Sequence, residues 1–340
     1  MTKRIPPHLS DPMRLSLVLL ALAALGLPVA GRAGETTPAA WFARMQKTLT
    51  TQSYQGNIVY MGSSQPTAYQ LVACSDGYAR LSALSGPPRE VIHGPHVAVR
   101  MRAGHTALVV HEMGNEAAPL PFPPVTRTPV AKLEHWYRFV LGGSNRVAGQ
   151  AAQLVELVPR DRWRYGYRIW ISKKSGMPLS SQLIGLRGGV LEQAFFTSIQ
   201  LLDMATARGL IGGKALSLAA HAASAPQATI AAAKCPDKDG AGAVNLEHLP
   251  AGFELVSESC ESAPLHATPV THLLVSDGLT HVSVFVSPRQ NGGATLMGET
   301  GMGPVHAVGR VAGGYAVTVL GTAPLATVSS IANGVRIKKQ

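Results

Sequence analysis

Arg164-Tyr165-Gly166-Tyr167-Arg168-Ile169-Trp170-Ile171-Ser172 decides the class of fold. Side chains along a strand alternate between its faces, so a period of two sorts a segment into an inner and an outer set. Tyr165, Tyr167, Ile169 and Ile171 fall on one face, while Arg164, Gly166, Arg168 and Trp170 fall on the other. The neighbouring segments read the same way. Gln55–Tyr60, Ala68–Ala73, Val97–Arg102, Thr106–Val110, Gln153–Val158, Leu179–Leu186 and Leu191–Phe196 are short strand-like runs separated by Gly, Pro, Ser and Asp. Two helices are predicted among them. The first is capped by Thr37, has Pro38 in its first turn, and puts Trp41, Met45, Thr48 and Leu49 on one face. The second is predicted over Val130–Leu141 and stops at Gly142-Gly143. Helix, strands, helix and more strands predict an α+β domain, a curved antiparallel sheet closing around helices.

Working outward, residues 113–129 break the pattern. Ala117-Ala118-Pro119-Leu120-Pro121-Phe122-Pro123-Pro124 cannot supply a ladder of hydrogen bonds, so it reads as a long loop carrying two apolar side chains, Leu120 and Phe122. Beyond the last strand the composition shifts to an alanine-rich stretch from Ala215 to Ala233, read as a linker. A small domain follows, with a hairpin signal at Asp277-Gly278 and a second at Gly313-Gly314. A closing helix is predicted over Pro324–Asn333, ended by Gly334. The expected organisation is 1–33 export signal, 34–205 N-terminal domain, 206–243 linker and 244–340 C-terminal domain.

The export signal rests on Lys3, Arg4 and Arg14, the apolar run Leu15–Leu27, and the small residues Gly31 and Ala33 before a cut at Gly34. The apolar run is about 13 residues, short of the roughly 20 that a membrane span needs. Cleavage would leave 307 of the 340 residues and lower the formal charge from +11 to +8. The expected site of action is outside the cytoplasm, reached by a soluble chain with no cysteine near the cut to carry a lipid. A basic exported protein suits phosphate-bearing lipids or acidic protein segments, and nucleic acid is an unsuitable partner there. An oxidising compartment permits a disulfide, and Cys235 and Cys260 are the pair nearest in sequence, leaving Cys74 over.

No sequence signal points to catalysis. H-E-x-x-H, C-x-x-C, G-x-S-x-G and G-x-x-x-x-G-K-[ST] are absent, and the twelve histidines lack the short-range pairing of metal ligands. The expectation is a binding protein, with no catalytic residue, metal or cofactor.

Several stretches carry a resemblance. They are Tyr54-Gln55-Gly56-Asn57-Ile58-Val59-Tyr60, Arg146-Val147-Ala148-Gly149, Pro159-Arg160-Asp161, the Arg164–Trp170 run, and Leu191-Glu192-Gln193-Ala194-Phe195-Phe196-Thr197. His272-Leu273-Leu274-Val275-Ser276-Asp277-Gly278-Leu279 adds the C-terminal part. Together they resemble the RseB/MucB family, regulators of the envelope-stress sigma factor. Cys74 departs from a family histidine, and the alanine-rich linker is longer than usual.

The resemblance implies an N-terminal domain like the lipoprotein carriers LolA and LolB, an unclosed β-barrel over helices with an apolar cavity, and a smaller α+β domain after it. It implies binding to the periplasmic region of an RseA- or MucA-like anti-sigma factor, which shields that factor from regulated proteolysis. Lipopolysaccharide or acylated lipoprotein fragments would relieve the block. A lipid or lipoprotein carrier of the LolA type is the alternative, and homo-oligomerisation stays open. The candidates for lining an acyl-chain cavity are Trp41, Tyr60, Met101, Leu120, Phe122, Trp136, Tyr167 and Ile171. Arg100, Arg102, Arg164 and Arg168 are the candidates for meeting phosphates or an acidic peptide.

Overall fold

The computed structural model describes residues 37–63, 65–94, 97–102, 105–111, 128–213, 215–217, 244–261, 270–289 and 295–337, and for 97–111 and 260–261 only the backbone. The export signal, Leu120, Phe122, Cys235 and the alanine-rich stretch from 218 onward lie outside these residues, as do the side chains of Met101, Arg100, Arg102 and Cys260.

The first helix, α1 (Pro38–Thr51), starts as the sequence predicts. The Thr37 hydroxyl accepts the Ala40 N–H at 3.1 Å, and Pro38 sits where a missing N–H costs nothing. Its buried face is Phe42, Met45 and Thr48, with Trp41 half-buried at the edge. Eleven strands then form one antiparallel sheet. They are β1 (Ser53–Met61), β2 (Thr67–Ala73), β3 (Ala79–Ala83), β4 (Arg89–Gly94), β5 (Val97–Arg102), β6 (His105–His111), β7 (Tyr137–Val147), β8 (Gln150–Pro159), β9 (Gly166–Ser172), β10 (Pro178–Ile184) and β11 (Val190–Leu202). The strand order is β6-β5-β4-β3-β2-β1-β11-β10-β9-β8-β7, so β1 and β11 join two meanders and the edges β6 and β7 stay unpaired with each other. The sheet is open, in keeping with the expected unclosed architecture.

The second predicted helix is corrected. Helix α2 is a single turn, Val130–Leu133, and the chain is a strand again from Tyr137. The apolar positions between Val130 and Leu141 fit periods of 3.6 and of 2 equally well. Pairing decides: Tyr137 faces Pro159, Phe139 faces Leu157 and Leu141 faces Val155 across β8, and aromatic and β-branched residues favour that surface. Strands β3 and β4 also escaped the pattern analysis. They are short and bounded by Gly86-Pro87-Pro88, which hides their period.

Helix α3 (Met204–Ile211) is capped by Asp203, whose carboxylate accepts the Thr206 N–H at 2.8 Å. It buries Ala207 and Ile211 against Val72 and Cys74, so a boundary at 205 falls inside a helix packed on the N-terminal sheet. Cys74 is buried there as a free thiol.

The C-terminal part comprises β12 (Val244–Leu246), β13 (Glu254–Glu261), β14 (Val270–Ser276), β15 (His281–Pro288), β16 (Gly298–Met302), β17 (Val305–Ala312), β18 (Tyr315–Gly321), α4 (Leu325–Gly334) and β19 (Val335–Ile337). Six of these strands form an antiparallel sheet in the order β13-β14-β15-β18-β17-β16, and β12 pairs with β19. Both predicted hairpins are present: β14–β15 around Asp277-Gly278 and β17–β18 around Gly313-Gly314. Helix α4 covers one face of the sheet, burying Val328, Ile331 and Ala332 against Val317, Val319 and Val284. Residues from Thr37 onward form one compact unit.

Candidate functional site

The sheet and the small domain meet at one arginine. Arg164, in the turn just before β9, is wholly buried, its side chain at 0% exposure. Its Nη1 donates to Asp277 Oδ2 at 2.7 Å, its Nε to Asp161 Oδ1 at 3.0 Å, and its Nη2 to Asp161 Oδ2 at 3.1 Å and to the Ala251 carbonyl. The guanidinium lies 5.1 Å from the ring centre of Trp136, 5.7 Å from Tyr137 and 5.2 Å from Phe253. A planar, weakly hydrated cation suits such a place better than an ammonium, because it forks onto carboxylates while its faces rest on aromatic rings. Burying a charge is costly, and only several well-made hydrogen bonds offset the loss of water.

Asp277 is held as firmly. It occupies the tip of the β14–β15 hairpin, where Oδ1 accepts the N–H groups of Leu279 at 2.9 Å and Thr280 at 2.7 Å. Gly278 supplies the left-handed φ of 98° that the turn needs. Oδ2 then faces across the seam, taking Arg164 and also the Tyr137 hydroxyl at 3.2 Å. Burial, together with the Asp277 charge, pushes the Tyr137 phenol well above its ordinary pKa. Burial does the same to Tyr167.

Apolar side chains cross the seam in both directions. Leu279, from the hairpin tip, packs in the N-terminal core with Phe42, Met45, Leu133 and Ile169. Trp163, from the turn before β9, packs against the C-terminal core, and its carbonyl accepts the Thr327 hydroxyl at 2.6 Å. The Thr128 hydroxyl donates to the Gly278 carbonyl at 3.2 Å. Gly252, at φ 84°, lets its backbone lie against the Trp136 ring where any Cβ would collide. At the rim, Lys132 pairs with Glu254 at 2.8 Å, an exposed contact of small energetic weight.

The candidate residues fall into three groups. Tyr167 and Ile171 are core, packed with α1. Trp41, Tyr60 and Trp136 are half-buried; Trp41 carries the Arg44 guanidinium 5.3 Å above its ring, and burial followed by Glu192 raises the Tyr60 phenol. Met101, Arg100 and Arg102 are placed only as β5 positions, Leu120 and Phe122 lie outside the described residues, and the Cys235–Cys260 pairing lies there too. Of the arginines, Arg168 is engaged with Glu156 at 2.9 Å across β8–β9, and Arg164 is an interior strut rather than a surface contact. That placement corrects the expectation for Arg164: a guanidinium with four protein acceptors and no exposure has nothing left for a phosphate. Asp161, Asp277, Leu279 and Trp163 are the seam residues that sequence reasoning missed. Asp277 was fully accounted for by its turn, and nothing local shows that its second oxygen is spent elsewhere.

Among the described residues no group of His, Cys, Asp and Glu could hold a metal ion, and no helix is long and apolar enough to cross a membrane. An open eleven-stranded sheet over helices, keyed through a buried arginine to a second domain built on a six-stranded sheet, defines a two-domain α+β class. The chain belongs to the MucB/RseB family: the MucB/RseB N-terminal domain matches residues 37–224 and the C-terminal domain residues 240–336. It is 29% identical over 332 residues to the sigma factor AlgU regulatory protein MucB of Pseudomonas aeruginosa, covering 95% of this chain and 98% of that one. It is 26% identical over 266 residues to the sigma-E factor regulatory protein RseB of Escherichia coli K12, covering 76% of each. Among solved structures, the P. aeruginosa MucA/MucB complex superposes with a TM-score of 0.64 at 24% identity, over 89% of this chain and 99% of that one. A crystal structure of MucB gives 0.57 at 26% identity, over 88% and 98%.

Proposed function

We propose that this chain is a periplasmic regulator of a sigma factor, acting by binding the periplasmic region of an inner-membrane anti-sigma factor. The observation that carries this reading is the match to regulators of that kind through both domains, in order and over nearly the whole length. Two of the related solved structures are complexes of MucB with MucA or its periplasmic part. The bound segment would be kept from the first regulatory protease, and lipopolysaccharide or acylated lipoprotein fragments would relieve the block. The firmly keyed second domain weighs against a simple lipid carrier, which needs only the sheet.

The test is calorimetric titration of lipid-free protein with the periplasmic region of an RseA- or MucA-like anti-sigma factor from the same organism. Binding at micromolar concentration or tighter is expected, with slower cleavage of that segment by its protease. Absence of binding at tens of micromolar, about −6 kcal/mol or weaker, overturns the reading.

A further inference from the structure

Three hairpin tips crowd one end of the N-terminal sheet. Tyr60 of β1 faces Thr67 of β2, Met61 faces Gln193 of β11, Tyr69 faces Ala83 of β3, and Ile184 of β10 faces Val190 of β11. The β1–β2, β3–β4 and β10–β11 turns therefore leave the sheet at the same end. The six strands that carry them are consecutive, spanning about 24 Å at the usual inter-strand spacing. Each tip presents an exposed large apolar side chain: Met61, Leu84, and the pair Leu186 and Val190. A fourth comes from the small domain. Gly303 of the β16–β17 turn lies beside Ser63, where a Cβ would fall 2.8 Å from the serine Cβ, and this sets Met302 at the same end. These five side chains are between 43% and 72% exposed. The β3–β4 and β10–β11 tips are open, since a Cβ on Gly86, Gly188 or Gly189 would meet no described atom within 4 Å.

The charge is one-sided. Residues 61–66, 84–89 and 185–190 include Arg89 and Arg187 and no Asp or Glu. Glu90 and Glu192, just behind them, are engaged with Arg80 and Tyr60. Arg102 of β5 stands in register with Arg89. We infer that this end of the molecule docks on the surface of an anionic phospholipid bilayer. Arginines would pair with lipid phosphates, and the apolar apices would enter the boundary between headgroups and acyl chains. A protein-binding surface is less well served, because such interfaces need a contiguous, packed apolar centre. Here one or two apolar residues stand at each of several separate turns made largely of Gly, Ser and Pro.

The chain from Gly34 onward is the form to test, since Leu15–Leu27 would itself enter lipid. Co-sedimentation compares vesicles of equal parts phosphatidylcholine and phosphatidylglycerol with vesicles of phosphatidylcholine alone. Binding is expected only to the mixed vesicles and is expected to fall with added salt. Arg89→Gln/Arg187→Gln should lower the partition coefficient about thirtyfold. Met61→Ser/Leu84→Ser/Leu186→Ser should lower it at least about tenfold, with an unchanged melting temperature because these side chains are exposed. The proposal is overturned if the parent chain ignores the mixed vesicles, binds both kinds alike, or loses no affinity in either variant. It is equally overturned if the variants keep their vesicle binding and lose the anti-sigma segment, for the tips would then be a protein interface. The vesicle assay contains no anti-sigma segment, so its failure leaves the proposed function standing.

Discussion

Arg164, in the turn before β9, and Arg168, on that strand, are only four residues apart, yet they have different physical weight. Arg168 pairs with Glu156 while 38% exposed, and such a pair contributes less than about 1 kcal/mol. Arg164 is interior, so removing it strands Asp277 as an uncompensated buried charge. Arg164→Met should cost about 3–5 kcal/mol in urea denaturation, and Arg168→Gln less than about 1 kcal/mol. Replacing both ends of the inner pair, as in Arg164→Met/Asp277→Leu, should cost less than Arg164→Met alone; equal or larger loss would show that the pairing is not what matters. The tyrosines give a second test. Burial raises the phenols of Tyr54, Tyr137 and Tyr167 above their ordinary value of 10.0. A raised folded pKa contributes stability that is complete below the unfolded value and is lost as pH rises past it. Stability should therefore decline above pH 10, and phenolate absorbance should show these three un-ionised until the protein unfolds.

At the scale of elements, the β14–β15 hairpin belongs to one domain and completes the core of the other. Leu279→Ala should cost about 2–5 kcal/mol. Its effect on hydrogen exchange should appear in β7–β9 as well as in β14–β15, and faster exchange confined to the hairpin would contradict the shared core. The same scale shows what was legible in the sequence. The Tyr165–Ile171 alternation survived intact because every second residue faces the core. The cap at Thr37 and both glycine-bearing hairpins also survived, since each is fixed by chemistry within a few residues. Val130–Leu141 did not, because its fate is set by β8, which follows only after the next turn. The seam was invisible for the same reason at longer range: Arg164 and Asp277 are 113 positions apart, and each has a sufficient local explanation.

For the whole molecule, a seam built from a buried ion pair and exchanged apolar side chains predicts joint unfolding. Calorimetry should show one transition for both domains in the parent chain, with Arg164→Met separating it into two; two transitions in the parent would contradict the keyed seam. Release of a bound anti-sigma segment would then come from changes at loops and edges more readily than from the domains swinging apart, since opening the seam exposes Arg164 and Asp277 together.

Trp163 and Leu279 have one more consequence. Leu279 is buried in the other domain's core and Trp163 packs against the other domain's core, so neither half is finished by its own sequence. Chimeras that graft the second domain of a distant relative onto this sheet would assemble only if the graft brings a matching leucine and leaves room for the tryptophan. Inheritance of the two halves is in that sense linked, and a change at position 163 would be accommodated first within the segment that packs on it.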